Sequence, residues 1–272
     1  MSETRSTFRG AADPPVHTGP PPGAIRVVKT RKPLKYGEGT YRWIYLWQFP
    51  IRITHWFAAG AITILAMTGY YIANPFLGTS GEASAHFMMG WVRFFHFGAA
   101  GVLVAAAILR VAWLFFGNSY ESWRALFPWS RRDWVNTFRM LKAYALVRPE
   151  ESPHYLGHNP LQQINYTLLY TVAIVEIVTG FAMYGLADPG GFFYRWFSWV
   201  GPALGGWQIV RLLHHAIMWF FIAFLPLHVY LVIRAAFMDR SGTLTSIFTG
   251  GRFVREDVPW EDASFTESAE EG

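Results

Sequence analysis

The histidines best placed to do chemistry in this chain lie inside apolar sequence. Arg211-Leu-Leu-His214-His215 opens an apolar stretch that continues to His228. His214 and His228 are fourteen residues apart, which on an α-helix leaves a residual rotation of about 40° and a rise of about 21 Å. Both imidazoles are therefore predicted to project from one face at two depths, whereas His215 is turned about 140° from His228. Ionisable residues at such depth in an apolar helix indicate a functional site.

Two further histidines match these two depths. His55 stands near the start of the first apolar stretch, at the depth of His228, and His96 stands in the second stretch, at the depth of His214. Two histidines from facing helices can supply both axial positions of a haem iron, which favours electron transfer because no position is left open for oxygen. We therefore predict two b-type haems, one at an inner level (His55 and His228) and one at an outer level (His96 and His214).

The other histidines are predicted to have different roles. His215 is expected to be structural or to support the ligand beside it, and His86, His154 and His158 lie at a membrane edge or in a loop. A zinc or copper site made of histidines is disfavoured, because two levels about 21 Å apart do not form one cluster.

The composition is that of a membrane protein. Of 272 residues, 52% are hydrophobic and only 15% are charged, against roughly 25% charged in soluble domains. The chain has no cysteine, so it cannot hold a cysteine-ligated iron–sulfur cluster or a thioether-linked haem, and any haem must be noncovalent. The net charge of +5 comes from basic residues beside apolar segments, which membrane topology explains better than nucleic-acid binding does.

Four apolar stretches are long enough to cross a bilayer, over residues 50–72, 87–116, 163–187 and 208–238. The predicted fold is an all-α integral membrane protein, a four-helix transmembrane bundle that holds the two haems. The positive-inside rule places both termini and the middle connection in the cytoplasm. The bundle is predicted to lie in the inner membrane. The middle connection carries the following basic residues, whereas the other two connections carry almost none: Arg124, Arg131, Arg132, Arg139, Lys142 and Arg148.

The predicted domain organisation has three parts. Residues 1–45 form a Pro-rich, basic and disordered tail, residues 46–240 form the dihaem transmembrane domain, and residues 241–272 form a second cytoplasmic tail. Within the domain, residues 118–160 mix tryptophans with arginines, which is typical of a segment lying in the membrane interface.

Charged and small residues near the histidines suggest how haems are accommodated. Arg52, Arg93 and Arg211 each stand three residues before a predicted ligand and are candidates to bind haem propionates, although topology alone also explains them. Glu176, the charge in the third span, is either a proton relay or a protonated carboxyl group hydrogen-bonded to a neighbour. Several glycines would allow a macrocycle or a neighbouring helix to approach closely: Gly60, Gly69, Gly98, Gly101 and Gly180.

Over residues 45–240, the chain resembles the b-type cytochrome subunit of membrane-bound nickel–iron hydrogenases. The resemblance rests on Arg52-Ile-Thr-His55-Trp56 with Thr68-Gly69, on Phe87 to Phe97 around His96, and on Arg211-Leu-Leu-His214-His215 with Trp219. It implies a four-helix anchor with two haems b ligated by His55, His96, His214 and His228. It further implies that electrons come from the iron–sulfur clusters of the hydrogenase small subunit, while hydrogen chemistry stays on the large subunit, and that the electrons pass to quinone.

The start of the third span is the expected quinone site. Asn159, Gln162 and Gln163 supply groups there that can hydrogen-bond a carbonyl, and the anchors of formate dehydrogenases have a similar Asn-containing turn. A structural interpretation fits equally well, with Asn159 as the N-cap and Pro160 at the first helical position.

Three other functions stay open from the sequence. The chain is also compatible with a cytochrome b subunit of another quinone-linked enzyme, such as formate dehydrogenase. A stand-alone cytochrome oxidoreductase would act without hydrogenase, and a proton or solute carrier would use Glu176 and the histidines without haem.

Overall fold

The computed structural model describes residues 26–28, 41–78, 81–82, 86–146, 152–239, 242–255 and 260–262. Four long helices dominate it: α1 (Phe49–Ala73), α2 (Met88–Phe116), α4 (Pro160–Gly185) and α7 (Trp207–Asp239). All four are long and apolar enough to cross a membrane, and less than a fifth of the most apolar stretch of each is buried inside the protein. The remaining apolar surface faces outward, as a lipid-embedded bundle requires. The prediction of an all-α membrane bundle with four spans is confirmed.

The four spans close into a bundle. α1 packs against α2 and α7, and α7 also packs against α4. Side chains close the remaining side, where Arg110 of α2 donates from Nε to the Tyr170 hydroxyl of α4 at 3.0 Å and Phe97 meets Tyr184. Pro226 lies inside α7, and the helix continues through it.

Shorter helices lie between the spans. They are α3 (Arg131–Ala145), α5 (Phe192–Phe197) and α6 (Val200–Ala203), with a 3-10 turn at Trp123–Ala125. α3 starts with a capping box formed by Ser130 and Asp133, buries Asn136 and Met140, and exposes Trp134 and Phe138. Its exposed aromatic residues beside arginines agree with the predicted interfacial segment.

The segments that flank the bundle differ from the sequence prediction. Strands β1 (Arg26–Val28), β2 (Tyr41–Tyr45) and β3 (Gly251–Arg255) form an antiparallel sheet in the order β1-β2-β3, and α8 (Thr243–Thr249) precedes β3. The expectation of a disordered tail up to residue 45 is therefore wrong for residues 26–28 and 41–45, and the predicted C-terminal tail contains α8 and β3. The rest of both tails, residues 1–25, 29–40, 241, 256–259 and 263–272, lies outside the described residues.

This sheet, together with α8, forms what we call the terminal cap, at one end of the bundle. Ile44 and Leu46 pack with Leu156 and Val254 in a small core, so segments before, within and after the four spans meet at the same end. Gly250 joins α8 to β3 with a φ of +89°, and its carbonyl accepts from the backbone N–H groups of Leu46 and Trp47 at 2.8 Å. A side chain at Gly250 would collide with the Tyr45 ring, so this close approach requires glycine.

Candidate functional site

The structure brings the two inner-level histidines close together, with their rings tilted by 49°. The ring centres of His55 on α1 and His228 on α7 are 6.2 Å apart. If both rings bound one iron, about 6 Å would separate them, from two metal–nitrogen bonds of about 2 Å and about 1 Å from each nitrogen to its ring centre. The spacing of this pair therefore fits bis-histidine ligation of a haem iron.

Aromatic packing positions the inner pair. Phe224, one turn before His228 on α7, stacks on its ring at 5.4 Å, and Trp56 meets the edge of His55 at 5.1 Å. His55 Nδ1 is buried and finds no hydrogen-bond partner among the described residues. The terminal cap lies against this level, since Phe248 of α8 packs on Trp56 at 4.7 Å and its carbonyl accepts from Arg52.

The outer-level histidines have polar partners instead. His96 Nδ1 on α2 lies 2.9 Å from the Thr68 hydroxyl of α1, and His214 Nδ1 on α7 lies 3.0 Å from the Thr179 hydroxyl of α4. Each ring therefore crosses from its own helix to a neighbouring one.

Glu176 lies at the outer level. Its Oε2 is 3.3 Å from His214 Nδ1 and has no hydrogen-bond partner in the described part of the chain. The carboxyl group thus lies beside a predicted ligand, one turn of α4 before Thr179.

The neighbouring His215 has a separate partner. Its Nε2 accepts from the Trp219 indole at 3.3 Å, one turn further along α7. Because a neutral imidazole has one acceptor nitrogen, this contact occupies the nitrogen that a metal would need, in agreement with the predicted structural role.

The three arginines are placed differently from one another. Arg52 is half-buried, lies over the Phe49 ring and donates to the Phe248 carbonyl. Arg93 is exposed, and Arg211 reaches Gln208 Oε1 at 3.4 Å on the surface. Only Arg52 is tied into the protein near a histidine pair.

The residues at the start of α4 divide into two groups. Asn159 and Gln162 form a reciprocal capping box, with bonds of 2.8 and 3.0 Å, which confirms Asn159 as the N-cap before Pro160. Gln163 is the exception, since its Oε1 is buried without a partner among the described residues and its Nε2 makes one long bond of 3.4 Å to the His158 carbonyl. Of the three predicted quinone contacts, Gln163 is the one with a buried side-chain oxygen that has no partner among the described residues.

Glu121 is buried and His158 is half-buried near this turn, outside the spans. His158 lies between the rings of Trp47 and Tyr166, at 4.6 and 4.3 Å, and burial together with the charges of Arg110 and Arg252 lowers its pKa to about 3. Glu121 accepts from the Gln48 backbone at 2.5 Å and from the Trp113 indole at 3.0 Å. Burial raises the pKa of Glu121 to about 6, although these bonds and nearby arginines oppose the shift.

Arg110 was not among the residues predicted to belong to the site. This arginine in the second span donates to the Tyr170 hydroxyl and to the Glu121 carbonyl, both at 3.0 Å. Its spacing offered a signal, because Arg110 follows His96 by fourteen residues, just as His228 follows His214. A charge at the depth of the inner level was therefore visible in the sequence.

Comparison with known proteins identifies the family. The model of the prokaryotic cytochrome b561 family matches residues 46–250. A protein of Cupriavidus necator named as a probable Ni/Fe-hydrogenase B-type cytochrome subunit is 38% identical over 78% of this chain and 88% of its own length. Proteins with corresponding names from Rhizobium leguminosarum bv. viciae and Escherichia coli K12 are 36% and 29% identical, over 78% and 76% of this chain and 90% of their own lengths.

These matches span the four helices and all four predicted ligands. A b-type cytochrome holds haem b, and the inner histidine pair has the spacing that a six-coordinate haem iron needs. The chain belongs to the prokaryotic cytochrome b561 family, among the b-type cytochrome subunits of Ni/Fe hydrogenases.

Proposed function

We propose that this chain is the membrane anchor and electron-transfer subunit of a respiratory Ni/Fe hydrogenase, in a complex with the small and large hydrogenase subunits. It accepts electrons from the iron–sulfur clusters of the small subunit and delivers them to quinone. The paired histidines at two depths carry the proposal, above all the 6.2 Å inner pair. The names of the relatives support the hydrogenase partner. A chain without cysteine can relay electrons but must receive them from another subunit.

Four side chains are proposed to hold two haems b. His55 and His228 would hold the inner haem, and His96 and His214 would hold the outer one. Bound haem b would supply reversible one-electron chemistry at iron. The chain itself orients these four side chains. Arg52, Arg93 and Arg211 are proposed to face the haem propionates.

Quinone is proposed to bind beside the inner level at the start of α4. Asn159 and Gln162 shape the turn through their capping box, and Gln163 offers the unpaired Oε1 to a quinol hydroxyl. The capped end of the bundle is then cytoplasmic, as its basic residues favour, and the outer level faces the hydrogenase across the inner membrane.

The test is hydrogen-dependent quinone reduction by the purified complex. We expect nickel-containing and iron–sulfur subunits to copurify with the chain, and hydrogen to reduce its haem and then added quinone. Gln163→Leu should slow quinone reduction while hydrogen still reduces the haem, and Asn165→Leu, at an exposed amide two residues further along α4, is the control. Reduction by formate instead of hydrogen, or a complex without nickel, would contradict the hydrogenase assignment in favour of another quinone-linked enzyme.

A further inference from the structure

Each outer-level histidine faces a threonine that is followed by a glycine on the neighbouring helix. Thr68-Gly69 of α1 faces His96 of α2, and Thr179-Gly180 of α4 faces His214 of α7. The two contacts join residues 28 and 35 positions apart in the chain. In two separate helix pairs, the threonine of a Thr-Gly dipeptide thus contacts Nδ1 of a predicted ligand.

The threonine hydroxyls already have an acceptor for their own proton. Thr68 Oγ1 lies 2.6 Å from the Ile64 carbonyl, and Thr179 Oγ1 lies 2.8 Å from the Val175 carbonyl, each one turn earlier on the same helix. A hydroxyl has one proton to donate and two lone pairs. With the proton directed to the helix carbonyl, the oxygen is left to accept the Nδ1–H of the histidine.

This direction determines which histidine nitrogen can bind iron. A neutral imidazole that donates from Nδ1 keeps an unprotonated Nε2. The hydroxyl contact therefore selects the tautomer that exposes Nε2 to a metal and also sets the ring orientation, which is the usual task of groups that hydrogen-bond a metal ligand.

The glycines provide the space for the rings. A Cβ atom at Gly180 would lie 3.3 Å from His214 Cε1, and one at Gly69 would lie 3.4 Å from both His96 Cε1 and Met218 Sδ. By contrast, Gly60, Gly98 and Gly101 have nothing within 4 Å of such an atom. The structure thus separates two glycines that accommodate histidine rings from three that do not.

We propose that Thr68-Gly69 and Thr179-Gly180 are two matched seats, in which the hydroxyl fixes Nε2 of His96 and His214 as the iron-binding nitrogen and the glycine leaves room for the ring. The proposal rests on the proposed role of these histidines as haem ligands. The threonines are positioning residues, since they act through the histidines. Loss of the hydroxyl makes the ligand less electron-rich, so the outer haem becomes easier to reduce.

The experiment compares Thr68→Val and Thr179→Val with the serine variants at the same positions in the purified complex. We expect valine to weaken retention of the outer haem by about 10- to 100-fold and to raise its midpoint potential, while serine restores both. Thr63→Val and Thr171→Val are matched controls, because these exposed hydroxyls also bond a carbonyl one turn earlier, at 2.8 Å, and have no hydrogen bond to any histidine that the structure describes. Gly180→Ala should weaken the outer haem and Gly60→Ala should not.

The two seats should respond unequally. At His214, Glu176 Oε2 lies 3.3 Å from Nδ1 and can take up the N–H once Thr179 is replaced. Thr68→Val is therefore expected to have the larger effect, and Thr179→Val should approach it only when combined with Glu176→Leu, which leaves no acceptor oxygen at that position.

Two failures are distinguishable. If His214→Ala leaves haem content and potentials unchanged, the proposed ligand role fails and the seats fail with it. If His214→Ala removes one haem while the valine variants match the threonine controls in retention and in potential, the seat proposal alone is overturned. Equal effects of serine and valine would also overturn it, since packing and not the hydroxyl would then be responsible.

Discussion

The two histidine levels use the same side chains but are positioned by different interactions. At the outer level, each Nδ1 lies about one hydrogen-bond length from a threonine hydroxyl on a neighbouring span. At the inner level, His55 Nδ1 has no such partner among the described residues, and Phe224 and Trp56 hold the rings by aromatic contact. Hydrogen bonding therefore orients one pair, whereas packing orients the other.

This difference makes the inner level dependent on segments far away in the chain. The terminal cap reaches it through Phe248, which packs on Trp56, and through the bond from Arg52 to the Phe248 carbonyl. At the outer level, the threonines that contact the two histidines lie inside the spans. Changes to the cap should consequently affect one level and spare the other.

The largest expected effect comes from removing an inner ligand. We expect His228→Ala to lower the haem content from two per chain to one, with the outer haem keeping its midpoint potential, because the levels share no ligand. A pyridine haemochrome assay with a redox titration measures this, and His86→Ala, at an exposed histidine, is the control. Loss of both haems would show that the levels are not independent.

A smaller effect is expected at Glu121, beside the inner level. Its pKa is raised from 4.5 to about 6, so between these values the folded protein binds more protons than the unfolded chain. Stability should therefore fall as pH rises from about 4.5 to about 6, by about 2 kcal/mol, and stay level above that window.

The melting temperature of the detergent-solubilised protein from pH 4 to pH 8 tests this prediction. Glu121→Gln should flatten the dependence of the melting temperature on pH between about pH 4.5 and 6. In the wild type, the inner haem should be released before the outer haem. An unchanged slope in the variant would assign the titration to another group.

The smallest effect is expected for Phe248→Ala in the cap. Loss of its contact with Trp56 at 4.7 Å should cost about 1 kcal/mol, or roughly a fivefold weaker retention of the inner haem. Phe116→Ala removes a more exposed ring, 76% against 58%, and is the control. Equal loss from the outer level would contradict the separation of the two levels.

The sequence was sufficient for the spans, because apolar length is a local property. The helical repeat predicted the pairing of histidine depths, and the 6.2 Å separation of His55 and His228 supports that prediction at the inner level. It did not reveal the terminal cap, since β2 pairs with β3 about 210 residues away and nothing local signals that partner. Thr68 and Thr179 were equally hidden, because a hydroxyl bonded to its own helix looks ordinary until the facing helix is placed. The fourteen-residue spacing from His96 could have identified Arg110 as a charge at the inner level, but the apolar stretch around it masks a single arginine.

The most direct test of the central claim is the haem content of the purified chain with His214→Ala and His215→Ala, from reduced-minus-oxidised spectra and a pyridine haemochrome assay. The account predicts two haems b in the wild type, one after loss of His214 and two after loss of His215, whose Nε2 is occupied by Trp219. No haem in the wild type, or loss only with His215, would contradict the assignment of His214 and His228, on one face of α7, as haem ligands.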